Sequence, residues 1–467
     1  MARVDACPQD GAGALSVEML NRFAGPCPRY TSYPTADRFL PLEAGNSPAE
    51  PWRALRGSTS LSLYVHIPFC RSLCYFCACN KVITQQYGLV SSYIDRLLEE
   101  AHWYRDKVAD LPVIQLHLGG GTPTFLTDAD LRRLVSGLAE VFNLHPPGQV
   151  EYSVEADPRT LDPETLETLR ELGFNRLSMG VQDFDPRVQQ AINRVCDERS
   201  VANLTQAARA CGFGSISYDL VYGLPHQSAD TMRATVKKVL QLAPDRIALY
   251  HYAHLPARFK AQRLIDSDAM PSAQEKITMQ LAALEELGAA GYQFLGMDHF
   301  ALPHDELALA AREGRLRRNF QGYTLMPADA LIGLGASAIS YSADGYWQNH
   351  HRLKDYVERI RACGSAAYRG WTLSEDDRLR QHLVMELMCR MRLDKSDLAD
   401  RAGGPFEKRF AEELRRLQPM FDCGLLRQDA DSLYLTEEGR WFARNAASAF
   451  DSYLHSEADT GRYSRVL

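Results

Sequence analysis

From about residue 56 the chain repeats one pattern: a short apolar run, a loop, then a stretch with apolar positions three and four residues apart. The apolar runs predict strands at Leu61–Ile67, Val113–Leu118, Val150–Val154, Arg176–Gly180, Ser215–Val221 and Arg246–His251. The stretches between them predict helices at Ser91–Val108, Asp128–Phe142, Pro163–Leu172, Ser200–Cys211, Ser228–Leu242 and Ser272–Ala290. Strands that alternate with helices imply parallel βαβ units, hence an α/β fold and a full or partial (β/α) barrel. In such barrels the chemistry gathers at the C-terminal ends of the strands. Here four cysteines follow the first strand, Gly-Gly-Gly-Thr-Pro-Thr (119–124) follows the second, and Glu155 ends the third. Gln182 follows the fourth, Asp219 lies near the end of the fifth, and Ala253 follows the sixth. Every unusual polar or glycine-rich feature falls on one predicted rim.

The flanks differ. Residues 1–50 are rich in Pro, Gly and Ala, with one short amphipathic stretch at Val17–Phe23, and predict an N-terminal arm. After about residue 353 the pattern turns to charged helices: Lys354–Cys363, Glu375–Arg392, Lys395–Gly403 and Pro405–Cys423. A strand pattern at Ser432–Thr436 and a last helix at Glu437–Leu454 complete a small helical or winged-helix-like domain. The expected division is therefore 1–50, 51–352 and 353–467. A winged helix can bind DNA, but the charges here are mixed and the net charge is -7, from 52 basic and 59 acidic residues. No nucleic-acid partner is expected. Of the 11 cysteines most are scattered singly, which is no disulfide framework and points to a reducing compartment. The first residues lack an apolar signal region. The most membrane-like run, Leu325–Tyr341, is broken by Pro327 and Asp329 and falls short of the ~20 apolar residues a span needs. A cytoplasmic protein without a membrane span is expected.

The chemistry concentrates in Tyr-Val-His-Ile-Pro-Phe-Cys-Arg-Ser-Leu-Cys-Tyr-Phe-Cys-Ala-Cys-Asn, residues 64–80. Cys70, Cys74 and Cys77 form a C-x3-C-x2-C pattern, and soft thiolates so close together select iron–sulfur clusters, zinc or copper(I). Zinc usually takes two ligand pairs, and no second Cys or His pair of suitable spacing exists, so an iron–sulfur cluster is the better reading. Three cysteines hold three irons of a 4Fe–4S cube and leave one open. Cys79 either completes a four-cysteine set or stays free beside it. The 119–124 loop lets a ligand approach the backbone, and without a following Gly-Lys-Ser/Thr it is no phosphate loop. A carboxylate at the end of an apolar strand, Glu155, suggests a cationic ligand. The densest basic run is Arg312, Arg315, Arg317 and Arg318, and Arg29 lies in the arm; each guanidinium offers a planar, bidentate donor matched to a carboxylate.

This cysteine motif resembles that of the radical S-adenosylmethionine (SAM) enzymes, and its flanks resemble the oxygen-independent coproporphyrinogen III oxidase (dehydrogenase) family. The same likeness is carried by Pro-Arg-Tyr-Thr-Ser-Tyr-Pro-Thr-Ala (28–36), Met-Gly-Val-Gln-Asp-Phe (179–184), Arg194, Tyr-Asp-Leu-Val-Tyr-Gly-Leu-Pro (218–225), His-Tyr-Ala-His-Leu-Pro (251–256) and Asn-Phe-Gln-Gly-Tyr-Thr (319–324). Ala78 departs from it, since family members usually have Gly between these cysteines. The resemblance implies a radical-SAM partial barrel with cluster ligands Cys70, Cys74 and Cys77 and a non-ligand Cys79. It makes Cys79 and Tyr64 catalytic candidates, and Arg29, Arg317 and Arg318 candidates for the carboxylates of the substrate it implies. It implies contacts to two SAM molecules from Tyr64, Phe76, Gly120, Gly121, Thr122, Glu155, Gln182, Arg194, Asp219, Ala253 and Ile339. The reaction it implies is anaerobic oxidative decarboxylation of two propionates of coproporphyrinogen III to vinyl groups, giving protoporphyrinogen IX for haem synthesis. A 5′-deoxyadenosyl radical would remove hydrogen from the propionate β-carbon. An external electron donor and acceptor would serve a monomer. Two rivals are a haem-binding chaperone on the same fold and a plain four-cysteine electron carrier. The chaperones typically carry an aromatic residue where Cys79 stands and lack the arm motif; an electron carrier has no need of a βα scaffold of this size.

Overall fold

The computed structural model describes residues 17–23, 25–42, 50–108, 111–145, 150–326, 328–454 and 463. The parts of the expected arm at 1–16, 24 and 43–49, Pro327, and the C-terminal stretches 455–462 and 464–467 lie outside the described residues. Two compact units emerge. Of the described residues, one holds those within 39–292 and 326–373; the other holds those up to 38, within 293–325 and from 374 on.

The larger unit is an α/β partial barrel. Its first six strands are β1 (Leu61–Ile67), β2 (Pro112–Gly120), β3 (Glu151–Ala156), β4 (Arg176–Gln182), β5 (Ser215–Tyr222) and β6 (Arg246–His251). They run parallel and pair in sequence order. On the other side of β1 lies parallel β7 (Ala330–Leu334), continued antiparallel by β8 (Ile339–Ser342), β9 (Gly345–Asn349) and β10 (Ala367–Thr372). Strands buried on both faces read as continuous apolar runs. Leu61, Leu63, Val65 and Ile67 are all fully buried, as are Val113, Leu116 and Leu118 on β2. Five of the returning helices start on a side-chain cap. Thr127 accepts from the Asp130 N–H, Asp162 from Thr165, Asp197 from Arg199 and Ser200, Ser228 from Thr231, and Ser272 from Glu275. Residues 353–373, assigned by their charge to the C-terminal domain, belong to this unit. Helix Leu353–Cys363 buries Tyr356 and Ile360 and presents its charged side to solvent, and β10 is hydrogen-bonded to β9. The apolar run 325–341 supplies the fully buried β7. Among the described residues no helix is long and apolar enough to cross a membrane.

The smaller unit carries helices Glu375–Arg390 and Lys395–Ala402 and a three-stranded antiparallel sheet with Ser432–Leu435 in the centre. The stretch 405–423, expected as one helix, is three short ones, Phe406–Arg409, Ala411–Arg416 and Gln418–Asp422. Pro419 cannot donate into a continuous helix. The described arm segment at 25–38 is part of this core. Tyr30 and Tyr33 are fully buried, Tyr30 Oη donates to Asp451 (3.1 Å), and Arg444 Nε donates to the Pro28 carbonyl (3.1 Å).

Candidate active site

β1 delivers the chain into the cysteine loop, which is stapled at its root by a two-residue parallel ladder between Phe69–Cys70 and Val82–Ile83. The Val82 N–H donates to the Pro68 carbonyl (2.7 Å) and the Thr84 N–H to that of Cys70 (3.1 Å). Lys81 Nζ donates to the Cys77 carbonyl (2.9 Å). The thiols of Cys70, Cys74, Cys77 and Cys79 line one cavity of about 160 Å3 with Phe76, Gly120, Gly121, Thr122, Glu155, Gln182, Arg194 and Asp219. Twelve expected residues thus meet at the C-terminal ends of β1 to β5. Gly121 has no room for a side chain, because a Cβ there would lie 2.6 Å from the Pro68 oxygen and 3.0 Å from Cys70 Sγ.

The sulfurs stand in different surroundings. Burial pushes the Cys70 thiol up to about 11, and its Sγ lies 3.4 Å from Thr122 Oγ1. Cys77 is held down to about 6, first by the hydrogen bond from the Cys79 thiol and then by the Lys81 charge. Cys74 is buried and faces two guanidinium groups: Arg159 Nη2 at 3.3 Å and Arg194 Nη1 at 3.4 Å from its sulfur. Asp157 gathers both arginines, accepting from Arg159 Nη2 (2.6 Å) and Arg194 Nη1 (3.2 Å). A soft donor set of three loop cysteines, with cationic donors aimed at one sulfur and glycine clearance beside another, fits an iron–sulfur cluster.

Glu155 faces the cavity from the end of β3. It accepts the Gly120 N–H (3.1 Å) and lies 3.3 Å from His117 Nε2, whose other nitrogen is 2.6 Å from Ser153 Oγ. Burial opposes its charge, but the His117 and Gly120 contacts outweigh burial and hold the carboxyl below its ordinary value. Asp219 is the opposite case. Burial, and then the Glu155 charge, push it up to about 7, and its nearest donor is Ser178 Oγ at 3.4 Å. Two carboxyls in one cavity are therefore pushed in opposite directions. β4 ends in a bulge that sets Gln182 at φ 70°, and Arg194 Nε donates back to the Gly180 carbonyl (3.1 Å).

Three expected residues stand outside the lining. Tyr64 stacks on His117 at 5.7 Å, with its hydroxyl 3.0 Å from His66 Nδ1. Ile339 opens β8 beside Gly333, the residue registered with Tyr64. The Ala253 carbonyl shares Gln262 Nε2 with that of Phe76 (3.2 and 3.0 Å). Arg29, Arg317 and Arg318 belong to the smaller unit. Arg29 is paired with Asp298, and Arg317 Nη1 donates to the Leu316 carbonyl (2.9 Å). Arg318 lies 5.0 Å over the Tyr323 ring, and its Nε and Nη1 are buried without a hydrogen-bond partner. Sequence reasoning missed His117, Asp157, Arg159 and Ser178. Asp157 and Arg159 lie within four residues of Glu155, and His117 was visible as the one ionisable residue in an apolar strand.

Residues 64–239 match the radical SAM superfamily and residues 373–442 match the HemN C-terminal domain. The chain is 45% identical over 448 residues to the oxygen-independent coproporphyrinogen III oxidase of Salmonella typhimurium, covering 94% of this chain and 96% of the relative. The chain belongs to this radical SAM oxidase family. It is also 44% identical to the Pseudomonas aeruginosa enzyme of the same name, over 96% of this chain and 98% of the relative. The solved structure of the Escherichia coli coproporphyrinogen III oxidase (HemN), described as a radical SAM enzyme, superposes with a TM-score of 0.88 at 44% identity. That match covers 91% of this chain and 98% of the other.

Proposed function

We propose that this protein decarboxylates two propionate side chains of coproporphyrinogen III to vinyl groups, yielding protoporphyrinogen IX and carbon dioxide. The observation that carries this reading is the near-full-length likeness to the oxidases, together with the family motif residues meeting in one cavity. Cys70, Cys74 and Cys77 would hold a 4Fe–4S cluster, with Cys79 free beside them. When bound, the reduced cluster and SAM supply a 5′-deoxyadenosyl radical that takes hydrogen from the propionate β-carbon.

The chain's own residues bind and orient. Glu155, kept ionised by His117 and Gly120, is set to accept from the ammonium of SAM, and the glycine backbone at 120–121 admits the methionine end. Gln182, Arg194, Asp219, Phe76 and Thr122, with Tyr64, Ala253 and Ile339, complete the contacts to two SAM molecules. Tyr64 is held by the His117 stack and the His66 hydrogen bond, which fix the orientation of its ring. Of the three arginines considered for the propionates, Arg318 alone keeps buried donors without a partner, and it is our candidate for a substrate carboxylate. An external electron donor and acceptor, a cytoplasmic location and a monomeric state complete the reading.

The test is anaerobic. The reconstituted protein with SAM, dithionite and coproporphyrinogen III is expected to form 5′-deoxyadenosine and protoporphyrinogen IX. SAM cleavage without any loss of propionates would overturn the substrate, and haem transfer without turnover would support a chaperone. Arg318→Gln should raise the substrate KM while leaving substrate-free SAM cleavage at the parent level.

A further inference from the structure

Cys74 is the middle of the three cysteines, and the turn after helix Pro186–Ala191 grips it from outside the loop. Asn193 Nδ2 donates to the Leu73 carbonyl (2.8 Å), and the Tyr75 N–H donates to the Ile192 carbonyl (3.0 Å). The two residues flanking Cys74 are thus tied to two consecutive residues of one turn. Asn193 occupies the left-handed region at φ 52°, a conformation that Asn tolerates better than most residues. Its carbonyl accepts from Arg159 Nη1 (3.3 Å), while Asp157 takes Arg159 Nε at 3.0 Å and Nη2 at 2.6 Å. With Nε and Nη1 fixed, the guanidinium plane is set, and its Nη2 edge also faces Cys74 Sγ at 3.3 Å. Arg194 approaches the same sulfur from its own anchors on Asp157 and Gly180.

We propose that Arg159 and Asn193 are positioning residues that fix Cys74 and make it the most strongly hydrogen-bonded sulfur of the cluster, raising the cluster's reduction potential. The physical reason is charge. N–H···S bonds and nearby positive charge stabilise the reduced, more negative state of an iron–sulfur centre over the oxidised one. Asp157 lowers the net positive charge, but it accepts from both guanidinium groups and so holds their N–H donors within reach of the sulfur. A planar fork can bridge a carboxylate, a carbonyl and a sulfur at once; an ammonium is a point charge on a flexible stem and cannot hold the same three. Asn193 acts one step further out, through the loop backbone and through Arg159.

This inference rests on the reading of Cys70, Cys74 and Cys77 as cluster ligands, and the experiment separates the two. Parent, Arg159→Gln, Arg159→Lys and Asn193→Gly proteins are reconstituted anaerobically, and iron content, electron paramagnetic resonance of the reduced centre and midpoint potential are measured without substrate. At the parent's midpoint, the reduced-to-oxidised ratio of Arg159→Gln is expected to be about tenfold lower, a downward shift of about 59 mV for one electron. Arg159→Lys should fall between Arg159→Gln and the parent. Asn193→Gly keeps the positive-φ backbone and the carbonyl but loses the strap to Leu73, so iron should be lost to a chelator severalfold faster, with a smaller shift in potential. A purely structural role would change iron retention without moving the potential. A parent-like midpoint in both Arg159 variants, whatever their iron content, therefore overturns the proposal. Should Arg159→Gln take up no cluster, Arg159→Lys decides by the same criterion. Failure of the parent to bind a cluster at all overturns the reading of the cysteines, and this proposal with it.

Discussion

Cys79 is the exposed thiol of the loop, Cys74 the buried one, and Cys70 and Cys77 lie between. Serine at 70, 74 or 77 removes a soft ligand and is expected to abolish most bound iron and all SAM cleavage. Cys79→Ser should retain the iron–sulfur absorption. The opposite pattern, with Cys79 essential for iron and one of the other three dispensable, would reassign the ligands. Asp219 offers a second test at this scale. Its carboxyl is pushed from 3.8 to about 7 by burial and then by Glu155. A native carboxyl that keeps its proton to higher pH than the unfolded chain favours the native state at low pH. That contribution is present below about pH 4, is lost as the pH rises to about 7, and is absent above it. Asp219→Asn does not titrate, so the stability of the parent relative to this variant should fall between about pH 4 and 7 and then level off. Urea unfolding of the metal-free proteins at constant ionic strength reads this directly. Parallel pH curves for the two would mean that Asp219 titrates normally.

Strand ends build the cavity, and β2 shows how tightly. Gly120 closes it at φ 117°, over the His66 ring, where a Cβ would meet His66 Cε1 at 2.7 Å. That ring is itself held between Tyr64 Oη (3.0 Å) and the Asn80 carbonyl (2.9 Å). Gly120→Ala therefore meets a left-handed backbone penalty of ~1–3 kcal/mol and an overpacking cost of similar size. A lower Tm is expected, with weakened SAM binding because the Gly120 N–H to Glu155 bond shifts. Combining it with His66→Ala restores the space but not the φ, so the two changes should cost less together than their separate sum. Strict additivity in thermal unfolding would show that no clash exists.

At the scale of the whole molecule, distant stretches of chain close each unit. The segment at Arg29–Arg38 and the helices from Ser374 onward share one core, with the Tyr30 side chain 1% exposed and Tyr33 fully buried. A surface lid would tolerate change there within about 0.5 kcal/mol. Tyr30→Ala instead opens an aromatic-sized cavity, and a loss of ~3–5 kcal/mol is expected. Tyr30→Phe deletes only the bond to Asp451 and should cost ~1 kcal/mol, since Asp451 still accepts the Tyr453 N–H at 2.9 Å. Equal stability of Tyr30→Ala and parent in urea would mean that the arm contributes nothing to this core.

The six parallel strands could be placed from the sequence to within two residues at either end because alternation of apolar runs and amphipathic helices is a local property. Parallel βα connectivity then dictates that their C-terminal ends share a rim. The cysteine loop, the glycine loop and Glu155 were legible for the same reason: each breaks a local apolar pattern at a strand end. Tertiary structure alone decided what meets across the chain. Cys74, Asp157, Arg159 and Arg194 come together from sites up to 120 residues apart, and no periodicity encodes which guanidinium reaches which sulfur. Likewise Arg29 looked like a free cation until Asp298 met it, and the charged helix 353–363 looked like the start of a new domain until β10 paired with β9. Hydrophobic pattern fixes which face of an element turns inward; the partner on the other side of a charge is set by packing between elements that the pattern treats independently.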